Sequence, residues 1–143
     1  MQWCGTVRSI MHIYIFGNPD LQNDSLPHKI VPVLVKQFPS IQFVPTDPNE
    51  LGLAPENPWW IMDTVRGIKR VTLFTDPSQI RATRRVSVHD YDLGMHLALL
   101  GKVHKDLTLC IIGIPQGMSE TQAIKEISQL LAGFLTPVIM HND

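Results

Sequence analysis

Short apolar runs alternate with helix-length amphipathic segments along this chain, and that alternation constrains the fold most. His12–Phe16 (HIYIF), Ile41–Val44 (IQFV), Trp59–Met62 (WWIM), Arg70–Thr75 (RVTLFT), Val86–Val88 (VSV) and Leu107–Ile112 (LTLCII) read as strands. LTLCII is apolar enough to be buried. Between the runs lie helical patterns. Ser25 or Asp24 caps a segment from near Pro27, with Ile30, Leu34 and Phe38 at four-residue spacing. Pro32 lies inside it and predicts a kink or a late start. Asp90 or Asp92 opens a segment through Leu93, Leu97 and Leu100 that stops at Gly101. Ser119-Glu120-Thr121-Gln122 is a capping-box start for a helix burying Ile124, Ile127, Leu130, Leu131 and Phe134. Strands interleaved with helices make an α/β domain: a three-layer α/β/α sandwich around a mixed, mostly parallel twisted sheet. The gap DTVRGIK is too short for a crossover helix, so the third and fourth strands are expected to pair as an antiparallel hairpin.

The 143 residues fit one domain, read as 12–143 behind an N-terminal extension of residues 1–11. The extension lacks the long apolar core of a secretion signal. Hydrophobic residues make up 44% and charged residues 17%, which describes a compact domain with a large apolar interior. A net charge of −1 provides no basic field to hold nucleic acid. No apolar stretch approaches a membrane span. The two cysteines, Cys4 and Cys110, are too few for a disulfide framework. Cys110 falls inside LTLCII and reads as a buried thiol, which predicts a reducing, cytoplasmic location.

Three polar residues follow strand-like runs: Asp24, Asp63 and His89. In an open α/β sheet, ligands bind outside the carboxyl ends of the strands. Residues distant in sequence therefore meet at one sheet edge, and Asp47 joins them after the second strand. Two carboxylates and one imidazole suit a divalent transition metal such as zinc, nickel or iron. Each residue also has a plainer reading. Asp24 is a ready helix N-cap, Asp63 a turn-forming residue, and His89 a histidine bonded to a helix end. The histidines at 12, 28, 96, 104 and 141 have no comparable placement. Gly17-Asn18 ends the first strand in a tight turn or positive φ, with no nucleotide-loop pattern around it. Covalent catalysis is disfavoured: no G-x-S-x-G elbow is present, and Cys110 lies mid-strand.

The segments IYIFGNPDLQND, WWIMDTVRG, RVSVHDYDL and IIGIPQG, taken in order, resemble the hydrogenase maturation proteases. The likeness runs from His12 to about Leu135. It implies a peptidase that removes the C-terminal extension of a nickel–iron hydrogenase large-subunit precursor after nickel insertion. It also implies that Asp24, Asp63 and His89 are the metal ligands and that Asp47 is a further acidic site residue. The nickel is implied to arrive with the substrate, and zinc or another divalent ion to substitute for it. The chain departs from the family where a second glycine is usual after the first acidic ligand: it reads Asp24-Ser25-Leu26-Pro27. Asp47-Pro48-Asn49-Glu50 likewise replaces a glycine-rich turn. A different function fits the same residues: a non-catalytic, metal-sensing or chaperone-like module that binds a partner's C-terminal tail. An inert acidic edge is a third reading.

Overall fold

A computed structural model describes residues 11–17, 20, 25–46, 56–76 and 106–140, the last six by backbone alone. The described elements are β1 (Met11–Ile15), α1 (Leu26–Gln37), β2 (Ile41–Pro45), β3 (Trp59–Val65), β4 (Thr72–Phe74), β5 (Leu109–Pro115) and α2 (Glu120–Met140). The five strands form one sheet in the order β2-β1-β3-β5-β4. Four strands run parallel, and β4 runs antiparallel to β5. The fold is therefore α/β with a mixed, mostly parallel sheet. The expected strand Val86–Val88 and the helix through Leu93 and Leu100 lie outside the described residues.

Alternation along the strands divides the interior into two clusters. On one face, Ile13, Ile15, Trp60, Met62, Cys110, Ile112 and Ile114 pack against Ile30 and Leu34 of α1 and Ala123, Ile127 and Leu131 of α2. On the other face lie Phe16, Trp59, Ile61, Val65, Phe74, Leu109 and Ile111. Both β3 and β5 are buried at every position, as strands at the centre of a parallel sheet should be.

That double burial explains why the expected hairpin does not form. β5 lies between β3 and β4, pairing with β3 from Trp59↔Leu109 to Val65↔Pro115. Phe74, Leu73 and Thr72 pair with Ile111, Ile112 and Gly113 on its other side. An apolar strand such as LCIIGIP gains more between two partners than at an edge. The link of residues 66–71 reaches easily, because six residues extend about 20 Å, whereas skipping one strand needs about 10 Å. Gly113 lets the three strands close up. A Cβ there would stand 2.7 Å from the Phe74 ring and 3.0 Å from Val65 Cγ2.

Helix α1 starts at Leu26, one residue before the expected Pro27, with Ser25 as N-cap. Ser25 caps through its backbone: its carbonyl accepts from His28 N and Lys29 N at 3.0 and 3.1 Å. The helix continues through Pro32, which is exposed. The capping-box start of α2 is half formed, since Gln122 N donates to Ser119 Oγ at 3.1 Å. The Gln122 side chain turns instead to Glu126, donating from Nε2 to Oε2 at 2.6 Å. Cys110 is fully buried as expected, but it is disulfide-bonded rather than a free thiol. The only other cysteine in the chain, Cys4, lies outside the described residues. A bonded Cys110 withdraws the argument from cysteine usage to a reducing compartment. No helix among the described residues is long and apolar enough to cross a membrane.

Glu126 is a buried carboxylate on α2 that joins the helix to the sheet. Its Oε1 accepts from Val71 N at 2.8 Å, just ahead of β4. The bonds from Gln122 and then from Val71 hold its pKa below the ordinary 4.5. A depressed carboxylate stabilises the fold above its unfolded pKa, and that contribution is lost as pH falls through the folded value. Urea melts should therefore show wild type more stable than Glu126→Gln at pH 7, with the difference closing as pH drops below about 4.5. A difference unchanged in acid would mean that the charge contributes nothing.

Candidate functional site at the carboxyl edge

Because β1, β2, β3 and β5 are parallel, their carboxyl ends open on one edge of the sheet. Backbone bonds hold these ends together. Thr46 N donates to Ile15 O at 2.9 Å, Phe16 N to Met62 O at 2.9 Å, and Gln116 N to Val65 O at 3.2 Å. Arg66 Nε reaches across to Gln116 Oε1 at 3.1 Å. Gly17, Gly67 and Gly117, which end or follow β1, β3 and β5, all have positive φ (109°, 85° and 86°). This is the left-handed turn that Gly17 was expected to make.

Asp63 lies within β3, not just past it, as the fifth of its seven residues. Thr64 and Val65, both β-branched, carry the strand two residues beyond the acid. Alternation puts Asp63 on the face of Trp59, Ile61 and Val65, opposite Gly113 in register. It is only 5% exposed. A carboxylate taken out of water needs hydrogen bonds, and Thr64 N donates to its Oδ1 at 2.8 Å. A carboxyl oxygen buried two residues before the end of a parallel strand is a donor type that a hard or borderline divalent cation accepts.

Of the expected set, Asp63 is the residue that the structure describes. Asp24, Asp47 and His89 lie outside the described residues. Among the described residues, no group of three His, Cys, Asp or Glu forms a metal site.

Two histidines without a place in the sequence pattern acquire one. His28, in the first turn of α1, donates from Nε2 to the Gly17 carbonyl at 2.9 Å, beside the carboxyl edge. Nothing in residue spacing marks that contact, which spans eleven positions. His12 sits toward the other end of the sheet, with Nδ1 3.2 Å from Glu56 Oε1. Tyr14 donates to the same oxygen at 2.9 Å. Burial first, then the bond and charge of Glu56, push the Tyr14 phenol up to about 12. Asn57 secures the same end, bonding Thr108 N and Asp106 O at 2.9 and 3.0 Å.

No family model, no curated protein and no solved structure matches this chain.

Proposed function

We propose that this chain is a metal-dependent endopeptidase of the hydrogenase maturation type. It would remove a C-terminal extension from a nickel–iron hydrogenase large-subunit precursor, in the cytoplasm, once nickel has been inserted. The observation that carries the reading is Asp63, a buried carboxylate near the carboxyl end of a central parallel strand. Its place agrees with the ordered motif resemblance, in which Asp24 and His89 complete the ligand set.

In this reading nickel comes with the substrate, and Asp24, Asp63 and His89 bind it transiently. A divalent ion supplies Lewis-acid chemistry to a peptide carbonyl or to a water. Asp63 contributes one anionic oxygen, aligned by the Thr64 N–H. His89 contributes a neutral nitrogen. Asp47 orients the attacking water or takes its proton as general base. Cleavage thus depends on metal already seated in the precursor.

Calorimetric titration with nickel, and with zinc as a substitute, tests the ligand set. Removing an outer partner of a metal ligand costs about 10–100-fold in affinity, and His89→Ala should cost at least that much. His96→Ala should leave affinity unchanged. Wild-type affinity should fall as pH drops below about 6.5, where an ordinary histidine protonates. Equal effects from the two substitutions would mean that His89 is not a ligand.

A further inference from the structure

We propose that Cys4 and Cys110 are bonded to each other, and that this disulfide is a redox-sensitive staple fixing the start of the chain to the central strand β5. It does not depend on the metal site proposed above.

Cys110 is disulfide-bonded, and no cysteine is free. The sequence holds two cysteines, so Cys4 is the one partner available to Cys110 within a single chain. The topology brings that pairing within reach. Cys110 is the second residue of β5 and lies opposite Trp60 of β3. Trp60 in turn lies opposite Ile13, the third residue of β1. These parallel strands therefore begin at one edge, and Cys110 stands close to it. β3 alone separates β1 from β5, which sets them about 10 Å apart. The step from Cys4 to Met11, where β1 begins, spans up to about 23 Å when extended. A chain that turns back from Met11 can thus cross the amino edge and reach Cys110.

The anchor is in the main core. Cys110 is fully buried on the sheet face that packs against α1 and α2, in the cluster of Ile13, Trp60, Ile30 and Ile127. A bond to it makes the segment before β1 part of the domain. It also closes a loop over most of the chain, from position 4 to position 110. Long loops are those whose closure most restricts the unfolded state.

The staple opens and closes by thiol–disulfide exchange. A dithiol reductant breaks the S–S bond, each cysteine gains one electron and one proton, and the dithiol closes to a cyclic disulfide. Oxidised glutathione restores the bond and is itself reduced to two thiols. In the cytoplasm proposed above, thiols are kept reduced. There the staple is open at rest and closes under oxidising conditions, and the oxidised chain is the more stable form. Asp63 lies toward the carboxyl end of β3, at the opposite edge, so the staple acts on stability away from the candidate site.

The test compares the full chain treated with oxidised glutathione or with dithiothreitol, beside Cys4→Ser treated alike. This substitution breaks the bond and leaves the Cys110 thiol in the core. Free thiols are alkylated in denaturant, and the peptides are mapped without reduction. Oxidised wild type should yield the Cys4 peptide joined to the Cys110 peptide. It should melt about 5–15 °C above the reduced form, the shift expected of a disulfide in a domain of this size. Cys4→Ser should melt with reduced wild type under both treatments. Two alkylated cysteines in the oxidised protein, or a bond between two chains, would overturn the pairing. Oxidised and reduced wild type melting together would overturn the staple.

Discussion

Asp63→Asn is expected to abolish peptide release from a nickel-loaded precursor while melting at or above the wild-type temperature. Asparagine keeps the Oδ1 that accepts the Thr64 N–H at 2.8 Å, so the local backbone stays satisfied. What it removes is the negative charge. Asp63 is 5% exposed, and an ionised carboxylate is costly to keep out of water. If further carboxylates share its edge, their mutual repulsion without metal adds to that cost. Neutralising Asp63 is therefore expected to relieve the fold and, in the proposed reading, to deprive the cation of a ligand. Asp63→Ala differs, because it also takes away the acceptor of Thr64 N. It should lose about 1–3 kcal/mol, as for a buried donor deprived of its acceptor. Thermal unfolding of both variants beside wild type, with cleavage measured on the same samples, separates the two effects. An asparagine variant that is clearly destabilised yet still cleaves would make Asp63 a structural residue.

Trp59→Ala should give the largest loss of stability, about 3–5 kcal/mol, as for other buried tryptophans. Trp59 is fully buried at the start of β3. It meets Tyr14 and Phe16 edge-on, with ring centroids 6.3 and 6.1 Å apart. Its indole N–H is buried with no hydrogen-bond partner among the described residues, a burden of about 1–3 kcal/mol. Phenylalanine keeps an aromatic ring and removes the unpaired donor. Trp59→Phe should therefore cost less than about 1.5 kcal/mol, within the range of a tolerated core swap. Denaturant unfolding of the two variants decides the matter. Equal losses would show that the indole nitrogen contributes to the core. The expectation bears on the site because Asp63 lies four residues along the same face of this strand.

The elements whose signals are local could be read from the chain. HIYIF, IQFV, WWIM and LTLCII each became a parallel strand, with boundaries moved by one to three residues. The start of α2 followed from Ser119 and Gln122, and its core face from residues three and four apart. Contacts set by competition between distant segments were not legible. A short link made the β3–β4 hairpin attractive, yet β5, more than thirty positions later, took the place beside β3. Asp63 looked like a strand end because aspartate is poor in strands. Thr64 and Val65 overrode that preference. Glu126 found its backbone partner 55 positions away. The partners of His28 and Cys110 leave no periodic trace in sequence. Of the candidate site, the sequence supplied the residue types and their order, and the topology supplied the edge at which the strands end.

Metal-gated cleavage is tested most directly by one measurement. A nickel–iron hydrogenase large-subunit precursor is prepared with and without nickel, incubated with this protein, and analysed by mass spectrometry of the intact chains. The expected result is loss of the C-terminal peptide from the nickel-loaded precursor alone, with no change in the nickel-free one. Stable binding of the loaded precursor without any loss of mass would instead make the chain a tail-binding module. Cleavage of both forms alike would contradict the claim that these residues read the metal.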